Sequence, residues 1–132
     1  MKTFSCLPLI IILYLLPHTT VAQDRIAEIA ELIKQANITE LEKQFAPTID
    51  VTILKEENVY SKIQASVVLT KFFTQNKPKS VKVLHKVNTN NTYRFGVLIL
   101  TTDKGLYRVS FTLNGTNGTS QIIDLRIEAE KT

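Results

Sequence analysis

"VYSKIQASVVLTKFFTQNKPKSVKVLHKV", residues 59–87, changes its hydrophobic period part-way along, and that change decides the fold. Ser61 and Gln64 form an S-x-x-Q capping box, and Ala65, Val68, Leu69 and Phe72 follow at helical spacing, with Phe73 widening the apolar stripe. Pro78 closes the helix. Beyond it, Val81, Val83, His85 and Val87 alternate with Lys82, Leu84 and Lys86, the period of two of a half-buried strand.

Toward the N-terminus the pattern stays helical. Ile26, Ile29, Ala30 and Ile33 share one helix face that ends near Ala36-Asn37. Thr39 and Glu42 read as a second capping box, opening a short helix with Leu41 and Phe45 inward that stops before Pro47. Ile49, Val51 and Ile53 then alternate with Asp50 and Thr52 as a strand, and Lys55 to Asn58 reads as a turn.

Toward the C-terminus the period remains two. Loop compositions at Asn88–Thr92, Asp103-Lys104-Gly105, Asn114-Gly115 and Asn117-Gly118 separate three further strands. Their expected inward faces are Tyr93, Phe95, Val97 and Ile99, then Tyr107, Val109, Phe111 and Leu113, then Ile123, Leu125 and Ile127. Short loops between successive strands force antiparallel neighbours, a four-stranded meander. Three helices at one end of the chain and a meander at the other predict an α+β domain, with the helices on one face of an antiparallel sheet. The opposite face is only half polar: Lys82, Lys86, Arg94, Arg108, Asp124, Arg126 and Glu128 share it with Leu84, Leu98, Leu100 and Ile122. Val97 to Leu100 is apolar on both sides, so a homodimer through this face is one way to cover it, scattered exposed aliphatics being the alternative.

The first residues set a compartment. Lys2, an apolar run from Leu7 to Leu16 and the small-residue ending Thr20-Val21-Ala22 read as a cleavable signal peptide over residues 1–22, leaving one domain over 23–132 in the periplasm or outside the cell. The apolar run is half the length that a membrane span needs, so no span is expected after cleavage. Cys6 goes with that segment, which removes thiol chemistry and cysteine-based zinc sites; with His85 as the one remaining histidine, neither metal nor cofactor is expected. Four sequons, at Asn37, Asn90, Asn114 and Asn117, would accept N-glycans in a eukaryotic secretory pathway; in a bacterium they are turn residues and a helix cap, the preferred reading. Charge is uneven: residues 23–57 carry −4, residues 58–102 carry +7 with no acid at all, and residues 103–132 are neutral, a mature net of +3. The middle of the chain is where an anionic envelope component would be drawn, ordinary solvated lysines being the other reading. Nucleic acid is not expected, since no aromatic-and-basic motif accompanies the charge.

Particular residues carry a resemblance. "ANITELEKQF", "VTILKEENVYSKIQASVVLTKFF", "PKSVKVLHK" and "LRIE", in that order, with Tyr60-Ser61-Lys62, Phe72-Phe73 and His85 within them, resemble an uncharacterised family of small exported Bacteroidetes proteins in the nuclear transport factor 2-like, cystatin-like superfamily. The match runs from Ile26 to Glu128. It implies a cone, a curved sheet wrapped around helices, often with a pocket at its mouth and often dimeric through the outer face of the sheet. Members include isomerases, dehydratases and proteins with no known activity, so the site is argued from its own residues.

Enzymes on such a cone place a carboxylate in the apolar interior as proton shuttle. These inward faces hold no Asp or Glu. His85, Tyr93 and Tyr107 are the inward groups able to move or donate a proton, and with Phe72, Val83 and Phe111 they form the candidate pocket for a small hydrophobic ligand. Three functions follow from this reading: a non-catalytic envelope protein binding a small apolar ligand or a partner, an isomerase or dehydratase using His85 and Tyr107 with an acid such as Asp50 beside the imidazole, and an interaction module with a solid core.

Overall fold

A computed structural model describes residues 24–88, 92–116 and 119–131; the expected signal segment and the pair Asn117-Gly118 lie outside the described residues. The elements run α1 (Arg25–Lys34), α2 (Ile38–Glu42), β1 (Phe45–Ile53), β2 (Glu56–Ser61), α3 (Lys62–Gln75), β3 (Pro78–Asn88), β4 (Tyr93–Thr102), β5 (Gly105–Asn114) and β6 (Gln121–Ala129). They build an α+β fold in which one open sheet has the order β2-β1-β6-β5-β4-β3. The meander β3 to β6 is antiparallel as expected, but β1 runs parallel to β6, so the sheet is mixed.

The helix starts follow local chemistry. Asp24 caps α1 by accepting from the amides of Ile26 and Ala27. Ser61 and Gln64 form the reciprocal capping box at α3, with both bonds present. At α2 the cap is Asn37, whose side chain accepts from the Glu40 amide, and not Thr39. The chain has already turned at Ala36 (φ 52°), which brings Asn37 to the capping position two residues earlier than the Thr39 reading.

Two further expectations fail around β1. Phe45 opens the strand instead of closing α2, and Pro47 sits inside it. Pro47 is tolerated there because the pairing with β6 is irregular between Phe45 and Asp50, and pairing with β2 begins only at Thr48, so no ladder bond is lost at its missing N–H. The stretch Glu56–Asn58 is strand and not turn; the reversal is confined to Leu54-Lys55, with Leu54 in the left-handed region at φ 61°.

Helix α1 lies against β3 and β4, and α3 against β1, β2 and α2, so all three helices cover one face. The core beneath them joins Ile26, Ile29 and Ile33 of α1, Leu41 of α2, Leu69, Phe72 and Phe73 of α3, and the inward residues of β1 and β4 to β6. Each such large side chain contributes about 1.5–3 kcal/mol on full burial.

The phase of the sheet differs from simple alternation in three places. On β4 the inward residues are Gly96, Leu98 and Leu100, one position away from the expected Tyr93, Phe95, Val97 and Ile99. On β3 a bulge lies between Val83 and His85, where Val83 faces Leu98 and His85 faces Val97. The extra residue reverses the remaining side chains, so Val81 and Val83 point to the core while His85 and Val87 point out. On β6 an irregularity opposite Thr112-Leu113 makes Ile122, and not Ile123, the fully buried residue. Strand β5 keeps its expected face of Tyr107, Val109, Phe111 and Leu113.

Gly96 explains the phase of β4. A Cβ built there would stand 2.8 Å from Phe111 Cζ and 2.9 Å from Ile26 Cγ2, so the phenyl ring and the isoleucine lie on bare backbone. Gly96→Ala is expected to cost about 1–3 kcal/mol in chemical denaturation, because ring, strand and helix must part to admit one methyl. An unchanged denaturation midpoint would show the contact to be loose.

Candidate functional site

The six residues proposed for one pocket divide between the two faces of the sheet. Phe72, Val83, Tyr107 and Phe111 are on the helix side, packed as core. His85 and Tyr93 are exposed on the other side. The reason is local: the bulge before His85 and the one-residue phase change on β4 each turn a side chain through the sheet.

Tyr107 is held from the helix side. Its hydroxyl donates to Asn76 Oδ1 at 2.8 Å, and its ring stands edge-on to Phe72 with centroids 5.0 Å apart. Asn76 is the C-cap of α3; both its backbone and side-chain nitrogens donate to the Phe72 carbonyl, at 2.8 and 3.0 Å. The phenol thus finishes a helix terminus, joining α3 to β5 through a neutral amide.

Acid–base partnership between His85 and Asp50 does not form. Both project from the outer face, but β1 and β3 are separated by β6, β5 and β4. Four inter-strand steps of 4.7–4.9 Å put them roughly 19 Å apart. His85 and Tyr107 are on opposite faces, so neither pairing of the isomerase reading is assembled. Among the described residues there is also no group of three or more His, Cys, Asp or Glu side chains placed to hold a metal ion.

What the helix side does hold at its margins is charge used for fastening. Lys86, inward after the bulge, pairs with the Asp24 carboxylate at the start of α1, and this bond is the largest influence lowering the Asp24 pKa. Arg25 donates to Ser120 Oγ, the Ser120 carbonyl, Gln44 Oε1 and Glu28 Oε1, joining α1 to the segments that precede β1 and β6.

The outer face carries two features. The first is an apolar stripe of Tyr93, Phe95, Val97 and Ile99 on β4 with Val87 beside Phe95 on β3. Val97 is only 6% exposed although the three described helices pack on the other face. The second is acidic: Asp50 and Asp124 are direct partners across the β1–β6 pair, and neither makes an ion pair within the described residues. The doubly apolar stretch 97–100 pointed to the stripe, while the neighbouring acids depend on the β1–β6 pairing, which only the tertiary structure supplies.

Comparison with known proteins places the fold. Residues 26–128 match the family described as a domain of unknown function, DUF4783. The chain belongs to that family. A DUF4783 protein from Bacteroides uniformis superposes with a TM-score of 0.74 at 24% identity, covering 79% of this chain and 95% of the other. A cystatin-like domain of unknown function from Nostoc punctiforme gives 0.67 at 13% identity, covering 87% and 81%. The designed protein Rd1NTF2_04 with long sheet gives 0.64 at 16%, covering 78% and 96%. No curated protein matches the sequence. At these identities the likenesses speak for the fold alone: this DUF4783 chain is an α+β domain with a curved, open, mixed sheet, similar in fold to the cystatin-like domain and to the designed protein. Among the described residues no helix is long and apolar enough to cross a membrane.

Desolvation raises the Asp124 carboxyl above its ordinary value; Arg126 opposes the rise, and Asp50 and Glu57 add to it. An acid whose folded-state pKa is raised works against folding when ionised, so the deficit is absent below the unfolded-state pKa and grows as pH rises through the folded-state one. Asp124→Asn is expected to raise Tm at about pH 7 and to lose that advantage at about pH 3. Equal Tm values for variant and parent at both pH values would show a fully solvated carboxylate.

Proposed function

We propose that this DUF4783 domain is an exported, non-catalytic interaction module that associates with a second copy of itself through the outer face of its sheet. One observation carries the reading: the inner face is packed around Phe111 on Gly96, while a contiguous apolar stripe centred on Val97 lies on the face that none of the described helices covers. A small hydrophobic ligand in the cone, the other reading of the same residues, would have to displace that packing.

The stripe is suited to its own copy. A two-fold axis through Val97, in the plane of the contact and across the strands, lays β4 antiparallel on β4 and sets Phe95 against Ile99 of the second copy. Polar side chains flank the stripe within the same footprint: Lys82 and His85 on β3, Arg108 on β5 and Arg126 on β6. Area is sufficient: four strands of nine to eleven residues present a footprint of roughly 650 Å² per copy from strand rise and spacing, near the 800 Å² of a standard interface. Asp124 stands at the edge of this footprint on β6, and Asp50 lies beyond it on β1.

Sedimentation equilibrium tests the reading. The chain from Gln23 onward is expected as a dimer at about 10 μM, with Val87→Asp and Ile99→Asp each raising the dissociation constant about tenfold or more, one desolvated charge costing at least 1.4 kcal/mol. A monomer at every concentration reached, or a dimer indifferent to both substitutions, would overturn it.

A further inference from the structure

Helix α3 is apolar on two sides. Its core side buries Ala65, Leu69, Phe72 and Phe73. Its solvent side exposes Ile63 at 69% and Val67 at 64%, one turn apart, and the next position of that row is the exposed Lys71. An open groove of about 290 Å³ runs beside this row, lined by Ile63, Ser66, Val67 and Thr70 and bordered on α2 by Glu42.

Past the helix the surface becomes cationic. Lys77 and Lys79 are exposed at the start of β3, and Lys104 is brought beside Lys77 because Asp103 binds the Lys77 backbone twice, through its own amide and through its carboxylate. That carboxylate is thereby turned to a backbone amide. None of Lys71, Lys77, Lys79 and Lys104 makes an ion pair within the described residues. Of the nearby acids, Glu40 is bound to Lys43 on α2, which leaves Glu42 as the acid on the groove.

We propose that the solvent side of α3 and the lysines beyond it form a docking surface for an anionic lipid membrane. Two exposed aliphatics in one row with an unpaired lysine, and three more unpaired lysines past the helix end, match what such a surface offers, negative headgroups above an apolar boundary. A soluble polyanion would answer the lysines and leave Ile63 and Val67 without a partner. Each lysine near an anionic leaflet counts for about fivefold in partitioning, so four together supply roughly 600-fold, enough for reversible attachment. The site is distinct from the sheet face and stands whether or not the chain dimerises.

Co-sedimentation with lipid vesicles tests it, using the chain from Gln23 onward, which contains the whole core and lacks the apolar N-terminal run. Binding is expected to vesicles of phosphatidylcholine with about a third phosphatidylglycerol at about 50 mM salt, falling at least tenfold at about 300 mM as charge is screened. Pure phosphatidylcholine should not be bound. Lys71→Glu and Val67→Asp, both at exposed positions, should each weaken binding at least fivefold with unchanged circular dichroism, and Glu42→Gln should strengthen it. Equal binding to neutral vesicles, no binding to anionic ones, or binding indifferent to Val67→Asp would overturn the proposal. So would capture by soluble heparin that survives Val67→Asp, since that result assigns the lysines to a polyanion.

Discussion

The sheet and the first helix meet at a position that has no side chain. Phe111 of β5 and Ile26 of α1 both come within 3 Å of where a Cβ on Gly96 would stand, so three elements share one patch of backbone. This contact sets the phase of β4. With Gly96 inward, Leu98 and Leu100 follow inward at two-residue steps, and Phe95, Val97 and Ile99 must point outward. It also positions α1, because a helix resting on Ile26 places its following apolar residues, Ile29 and Ile33, over the same layer. An apolar outer stripe is therefore the consequence of filling the inside with a phenyl ring at this point: the β4 residues that could have lined a cavity are turned away from it.

The polar groups at the margin of the core are consumed in the same closure. The bulge before His85 turns Lys86 to the helix side, where it meets the Asp24 carboxylate that also caps α1. Asn76 ends α3 and takes the Tyr107 hydroxyl. Arg25 reaches Ser120 and Gln44 from the first turn of α1. Each of these side chains has a type that could serve catalysis, and each spends its hydrogen-bonding capacity on joining a helix terminus to a strand or loop. A proton-transfer site needs a donor or acceptor left free toward a substrate, and the geometry at these residues provides partners instead.

The helices were legible because their signals are short-range. A capping box such as Ser61 to Gln64 is decided by residues three apart, and the stripe of Ile26, Ile29 and Ile33 needs only the helical period. The order of the meander was legible from loop length. The faces were not, wherever face depended on counting. Val97 to Leu100 is apolar in either phase, so alternation cannot choose between them, and the choice was made by Phe111, fifteen residues after the Gly96 it rests on. A bulge inserts a residue without a compositional mark, so Val83 and His85 read as neighbours on one face while the structure sets them on opposite ones. Strand β2 was hidden for a different reason: Glu56, Glu57 and Asn58 suit an exposed edge as well as a turn, and pairing with β1 decides the matter. The parallel β1–β6 pair joins segments some seventy residues apart, beyond any local pattern.

The two surfaces proposed for binding lie on opposite sides of the molecule, and their arrangement limits how they combine. Two copies joined through the sheet stand back to back, with the helix layers pointing away from one another. A flat membrane can then meet α3 of one copy only, so dimerisation adds no second lysine patch to the same leaflet and no avidity. Association through the sheet and attachment through the helix are consequently independent in free energy unless two membranes are bridged. The Val97 stripe and the Ile63–Val67 row are in this sense separate answers to one constraint: a core filled around bare backbone leaves its surplus of apolar side chains on the outside, on whichever faces the elements present to water.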